Sequence, residues 1–268
     1  MLGVQAYQFN HALTRSPAKS VIDGLRAGDG PNPVFSHFQS QHRAYQKALE
    51  DAGLAVNCLA ADEDFPDSVF VEDPALCIGG SVILLSPGAP SRYGEAGRLA
   101  AHGQRYFDTL IDLRPRLAAG GRIDGGDILL TGREALIGLS VRTNQAGFDA
   151  LAAVLQDFSI IARPLETPAD ILHFKSDCGL LDAETIFCTE QLAKSDCFKG
   201  YRVITAPAGD EPAANLIRVN DWVLLAHGHP RSAELLDYHG YQVKLLHISE
   251  AAKIDGGLSC MSLRYHRQ

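Results

Sequence analysis

Four stretches of this chain repeat one form, two short apolar runs joined by a polar turn: "VFVEDPALCIGGSVILLSPG", "GGDILLTGREALIGLS", "LHFKSDCGLLDAETIFCTE" and "AANLIRVNDWVLLAHGHP". Each reads as a β-hairpin, with turn residues at Gly79-Gly80, Gly132, Asp182 and Asn220-Asp221. Helical periodicity lies between them. "QSQHRAYQKALEDAG" places Tyr45, Leu49 and Ala52 on one face and stops at Gly53. "NQAGFDALAAVLQDFS" spaces Phe148, Leu151, Leu155 and Phe158 as one apolar stripe. "SAELLDYHG" is a shorter case ending at Gly240. A strand-like run follows each: "AVNCLA", "SIIARPLE" and "YQVKLLHI". The unit is hairpin, helix, strand, recurring roughly every 40–60 residues, the range of propellers and arrays.

Four full units leave two fragments. The C-terminal "LSCMSLRY" reads as the first half of a hairpin, and the N-terminal "YQFNHALTRSP" as the second half. Pairing Met261–Tyr265 beside His11–Arg15 completes a fifth unit. The expected fold is α/β: a five-bladed α/β propeller closed by its terminal strands, with residues 1–268 as one domain. A doubly wound α/β sheet is the competing reading, and it lacks a phosphate-binding glycine loop.

A net charge of -8 and a pI near 5.6 give no basic face for nucleic acid. No apolar run approaches the ~20 residues a membrane helix needs. The N-terminal "MLGVQAYQFNHALTRS" has no basic cluster followed by an apolar stretch, so a signal peptide is not expected. The six cysteines, at 58, 77, 178, 188, 197 and 260, form no CxxC pair. That pattern fits reduced thiols in a cytoplasmic protein rather than a disulfide frame. Cys58, Cys77 and Cys188 read as small buried apolar residues, whereas Cys178 and Cys197 have no assigned place.

Polar residues recur near the start of each unit: Asp67, Glu72 and Asp73 in "FPDSVFVEDP", Asp124 and Asp127 in "IDGGD", His173 in "HFKSD", then Asn215 and finally Cys260. In a ring, such matching positions converge on the axis. A thiol is a poor nucleophile until deprotonated, and a nearby imidazolium favours the thiolate. The imidazole can pass its proton to a leaving group, and a carboxylate on its other nitrogen orients it. The remaining carboxylates suit a planar guanidinium. Arg92 and Arg142 can hold an α-carboxylate. Taken singly, each feature has a plainer reading. A Cys and a distant His coincide by chance, "IDGGD" is a turn, Asp67 is a cap, and both arginines are solvated. His227 and His229 in "HGH" lack the spaced companions of a zinc site. Gly256 and Gly257 are expected to permit an unusual backbone conformation.

At these residues the chain resembles the dimethylarginine dimethylaminohydrolases (dimethylargininases) of the guanidine-modifying, or pentein, superfamily of five-bladed α/β propellers. The matching stretches are "SVIDGL", "FPDSVFVEDP", "SRYGE", "IDGGDILLTG", "RTNQAG", "LHFKSDCGLL", "AANLIRVN" and "KIDGGLSCMSLRY", in family order over nearly the whole chain. The resemblance implies Cys260 as nucleophile, His173 as general acid/base and Asp124 as the third catalytic carboxylate. It implies that Asp73 and Glu72 hold the guanidinium. Asp67 and the backbone carbonyls of Leu25 and Ile254 would contact the α-amino end. Arg92 and Arg142 would bind the α-carboxylate, and Phe70 would wall the pocket. The pattern departs at Tyr93, where bacterial relatives carry a second arginine.

The expected activity is hydrolysis of Nω-methylated arginine to citrulline and an alkylamine, with no cofactor and no metal. The expected partner is that small substrate alone, with no nucleic acid and no membrane. Oligomeric state stays open, a homodimer included. The alternatives are a related hydrolase acting on arginine or agmatine, and a binder of arginine analogues without turnover or a zinc-holding thiol/imidazole site. Agmatine lacks the carboxylate that Arg92 and Arg142 would read.

Overall fold

The computed structural model describes residues 2–267, which form five three-stranded sheets. Strand β1 (His11–Arg15) runs parallel to β2 (Ala55–Leu59) across the helix Phe35–Asp51. Strands β3 (Ala75–Ile78) and β4 (Ser81–Leu84) form a hairpin, and β5 (Thr109–Asp112) adds in parallel to β4. The same order builds β6 (Ile128–Leu130), β7 (Glu134–Leu139) and β8 (Ile161–Glu166). It recurs in β9 (Cys178–Leu180), β10 (Thr185–Cys188) and β11 (Arg202–Thr205), and in β12 (Ile217–Val219), β13 (Trp222–Ala226) and β14 (Gln242–Leu246). The last strand, β15 (Leu263–Tyr265), pairs antiparallel with β1, setting His11 opposite Tyr265 and Leu13 opposite Leu263.

All four hairpins read from the sequence are present at the expected turns. Asn220 takes a left-handed φ of 54°, which asparagine tolerates better than most residues. Strands β5 and β11 went unread. Their preceding helices are Glu95–Ala100, Gly103–Tyr106 and Glu190–Ala193, too short to show a 3.6-residue period. The helix Gln145–Asp157 opens where the Asn144 side chain accepts the Gly147 N–H at 3.1 Å.

The helix Phe35–Asp51 serves the C-terminus. Its apolar face carries Phe38, Tyr45, Ala48 and Leu49 into one buried cluster with Leu258, Cys260 and Met261. The Tyr45 hydroxyl lies 2.9 Å from Leu258 O and 2.6 Å from Ser262 Oγ, so a buried phenol finds partners on the segment that carries Cys260. Leu263 and Tyr265 bury in a second cluster with Leu13, Val71 and Phe107. Burying side chains of this size contributes about 1.5–3 kcal/mol each, which opposes the fraying expected near a terminus.

Cys188 is buried as expected and Cys77 half-buried, but Cys58 is exposed. It lies on β2, the edge strand of its sheet, where only Leu59 is buried. Cys178 and Cys197 join the buried cluster around Phe174 and Ile186. No helix of the described residues is long and apolar enough to cross a membrane.

Candidate active site

Five segments, each just ahead of the first strand of a hairpin, hold the polar residues. They are 67–74 before β3, 124–127 before β6, 173–176 before β9, 211–215 before β12 and 258–262 before β15. Three of them coil as short 3-10 turns, Gly125–Asp127, Phe174–Ser176 and Glu211–Ala214.

Three of these segments, 67–74, 173–176 and 258–262, reach a cavity of about 130 Å³. Leu25, Asp67, Phe70, Asp73, Arg92, Arg142, His173, Ile254 and Cys260 all line it. Asp124 stands directly behind, fully buried, with Oδ2 2.9 Å from His173 Nε2 and Oδ1 accepting the Gly88 N–H at 2.5 Å. Nε2 is therefore the oriented nitrogen. Asp127 accepts the Phe174 N–H at 2.8 Å and the Ser140 hydroxyl at 2.7 Å, which fixes the turn after His173.

The glycines of "IDGGD" are there for close approach. A Cβ on Gly125 would lie 2.0 Å from Glu72 O, and one on Gly126 would lie 2.8 Å from the His173 ring. The same holds for Gly256 and Gly257, and this corrects the conformational role expected of them. Neither has a positive φ. A Cβ would meet the Phe70 ring at 2.3 Å from Gly256, or Asn215 Oδ1 at 2.3 Å from Gly257. The left-handed backbone falls one residue earlier, at Asp255 with φ 55°.

The segment after Gly24 crosses the cavity mouth. Leu25 N–H donates to Asp67 Oδ1 at 3.0 Å and Ala27 N–H to Asp255 Oδ2 at 2.6 Å. Arg26, Ala27, Leu172, Asp255 and Gly256 also line the cavity and were missed in the sequence. Leu172 and Gly256 had a usable signal, since each lies close in sequence to a residue that was read. Arg26 and Asp255 had the same signal, standing beside Leu25 and Ile254.

Glu72 departs from expectation. It does not line this cavity but a separate one of about 110 Å³ beyond it. Its Oε1 is held by Lys175 Nζ at 2.6 Å and Arg264 at 3.2 Å. Glu72 and its neighbour Asp73 are turned into different cavities, and two buried cations draw the former away. Arg92 lines the cavity but is already committed. It pairs with Asp73 and with Glu95, and its NH2 donates to Phe70 O at 2.9 Å. Arg142 is half-buried, and its guanidinium makes no ion pair among the described residues. Arg26, the third arginine on the cavity, is held by Gly30 O, Ile22 O and Asn32 Oδ1, which leaves Arg142 free to meet an anion.

Electrostatics divide the groups. Burial lowers the basicity of His173, but Asp73 and the Asp124 hydrogen bond outweigh it and raise the pKa to about 9, so the ring is an imidazolium at neutral pH. Burial, then Asp73 and Glu72, push the Cys260 thiol up to about 12, and the Gly257 N–H at 3.4 Å from Sγ offsets little of this. Burial also opposes ionisation of Asp73, yet Arg92 and His173 hold it below the ordinary carboxylate value. Asp67 has too little compensation and is raised by burial. Asp73, Asp124 and His173 offer ligand atoms within 4.8 Å of one another, a spacing that suits a metal ion; His227 and His229 form no such group among the described residues.

A buried thiol, an imidazolium on a carboxylate, and acids sharing one cavity with a free arginine define a cysteine-centred enzyme for a cationic substrate. The arginine deiminase family model matches residues 61–218. The N(G),N(G)-dimethylarginine dimethylaminohydrolase of Pseudomonas aeruginosa is 35% identical over 257 residues, covering 96% of this chain and 100% of that protein. The solved structure of a cysteine-to-serine mutant of the P. aeruginosa enzyme complexed with citrulline has a TM-score of 0.91 at 34% identity, covering 97% of this chain and 100% of that one. A histidine-to-glycine variant of dimethylarginine dimethylaminohydrolase, an adduct with S-methyl-L-thiocitrulline, has a TM-score of 0.90 at 34% identity, covering 96% and 100%. The chain belongs to the dimethylarginine dimethylaminohydrolases, within the arginine deiminase family.

Proposed function

We propose that this protein hydrolyses Nω-methylated L-arginine, asymmetric dimethylarginine and monomethylarginine, to L-citrulline and dimethylamine or methylamine. The observation that carries the reading is that Cys260 and His173 face one small cavity, with Asp73 and Asp67 on its wall and the unpaired Arg142 at its edge. A guanidinium matches Asp73, and an α-carboxylate matches Arg142. Asp67 with the carbonyls of Leu25 and Ile254 takes the α-ammonium, and Phe70 walls the alkyl chain. Arg92 holds Asp73 in place, and Glu72 acts from behind.

The resting thiol is protonated because carboxylates surround it. An incoming guanidinium adds the missing positive charge, and the thiol releases its proton to solvent. Sγ then bonds the guanidinium carbon. The His173 imidazolium passes its proton to the alkylated nitrogen, the C–N bond breaks, and the neutral amine leaves a thiouronium on Cys260. The imidazole, now neutral, takes a proton from water. Hydroxide adds to the same carbon, the C–S bond breaks with the electron pair going to sulfur, the added hydroxyl loses its proton to solvent, and citrulline forms with the thiolate restored. Asp124 keeps the ring oriented throughout.

The fold that serves this chemistry is read as a closed ring of five blades in one domain, residues 1–268. The β15–β1 pairing and the convergence of five pre-strand segments support it. A cytoplasmic location fits six free cysteines. The test is incubation with asymmetric dimethylarginine, arginine and agmatine, measuring citrulline, carbamoylputrescine and released amine. Citrulline and dimethylamine in equal amounts are expected, and none from Cys260→Ser, which should still bind substrate. Turnover by Cys260→Ser, or turnover of agmatine alone, would overturn the reading.

A further inference from the structure

Hydrogen bonds link each pre-strand segment to the next. Glu72 N–H donates to Cys260 O at 3.1 Å, Gly125 N–H to Asp73 O at 3.0 Å, and Phe174 N–H to Asp127 Oδ1 at 2.8 Å. The return from the His173 segment to the Cys260 segment runs through one side chain. Asn215 donates from Nδ2 to Lys175 O at 2.8 Å and to Ser259 Oγ at 3.2 Å. Its Oδ1 accepts the Ser259 N–H at 3.1 Å. Lys175 stands two residues after His173, and Ser259 immediately precedes Cys260.

The chemistry of the contact asks for an amide. A carbonyl partner needs a donor and a backbone N–H needs an acceptor, and only asparagine offers both on so short a stem. Aspartate keeps the acceptor and loses the donor. Room for the amide is made by Gly257, where a Cβ would lie 2.3 Å from Oδ1. The Gly257 N–H in turn points at Cys260 Sγ at 3.4 Å. Asn215 itself does not line the cavity.

We propose that Asn215 is a positioning residue, which fixes the Cys260 sulfur relative to the His173 imidazole without touching substrate. The proposal rests on the hydrolase reading above. Small displacements matter here, because misplacing reacting groups by about 1 Å can cost roughly 100-fold in rate. The groups expected to bind the amino-acid end lie on other segments, so binding and turnover should separate.

The test compares Asn215→Ala and the near-isosteric Asn215→Asp with the wild type. In both variants kcat for asymmetric dimethylarginine is expected to fall roughly 30- to 100-fold. Substrate binding, measured in the Cys260→Ser background, should change by no more than about threefold. Should the alanine variant fail to fold, the aspartate variant decides alone. Wild-type kcat in either folded variant would overturn the proposal. So would a loss of binding equal to the loss of kcat, which marks a collapsed cavity. A second arm needs no substrate: freeing the nucleophile segment lets water reach the thiol, so iodoacetamide should modify Cys260 faster at neutral pH in both variants. An unchanged rate there would overturn the role of Asn215. A wild type inert toward every methylated arginine would refute the hydrolase reading, while the alkylation arm would still judge Asn215.

Discussion

Cys260 in the free protein is expected to react slowly with iodoacetamide, and Asp73→Asn is expected to speed it up. The thiol is pushed to about 12 by burial, Asp73 and Glu72, against 9 for an ordinary one. Three units leave about 10³-fold less thiolate at pH 7.5. A more basic thiolate is intrinsically the better nucleophile, with a Brønsted slope of about 0.4–0.5, which returns roughly 20–30-fold. The net expectation is a thiol about 30- to 50-fold slower than an ordinary one. Asp73 is the largest single charge acting on it. Removing that charge should lower the midpoint, and each unit of lowering would give tenfold more thiolate and a net gain of about threefold in rate. Asn at this position leaves Arg92 its partner Glu95, so the fold should survive. The assay is peptide-resolved mass spectrometry of alkylation across pH, with exposed Cys58 as internal reference and Cys260→Ser identifying the peptide. A wild-type midpoint at or below 9, or no shift in Asp73→Asn, would refute the account of how this thiol is held protonated.

The two arginines should behave differently. Arg92→Ala strands Asp73 and Glu95 without their buried cation and should cost about 3–5 kcal/mol in urea unfolding. Arg142→Ala should leave stability unchanged and raise KM for amino-acid substrates far more than for a decarboxylated analogue; equal effects on both would remove it from the carboxylate site. His173 titrates near 6.5 when unfolded and about 9 when folded, so its stabilisation is complete below 6.5 and is lost as pH rises through 9. The rate of amine release should fall over that same alkaline limb, and His173→Gln should lose the limb altogether. Gly125→Ala forces a Cβ to 2.0 Å from Glu72 O, a backbone atom with little freedom to move, and should cost about 3 kcal/mol or more by thermal melting.

The hairpins, the three long helices and the leftover half-units at the two ends were legible in the sequence because apolar periodicity and turn residues are local properties. The residue types of the site were legible for the same reason: a Cys, a His and carboxylates stand at matching places in successive units. Strands β5 and β11 were not, since the helices before them span only four to six residues. The rest was decided by contacts across the chain. Glu72 turns from the substrate cavity because Lys175 and Arg264 arrive from segments roughly 100 and 190 residues away. Arg92 is occupied rather than waiting because Asp73 and Glu95 close on it. Asn215 was legible as one of the recurring polar residues, but its part is decided by its amide contacts with Lys175 and Ser259. Protonation states belong to the same class. A pKa depends on burial and on charges through space, and neither the height of the Cys260 thiol nor the charge on His173 is written in any stretch of sequence.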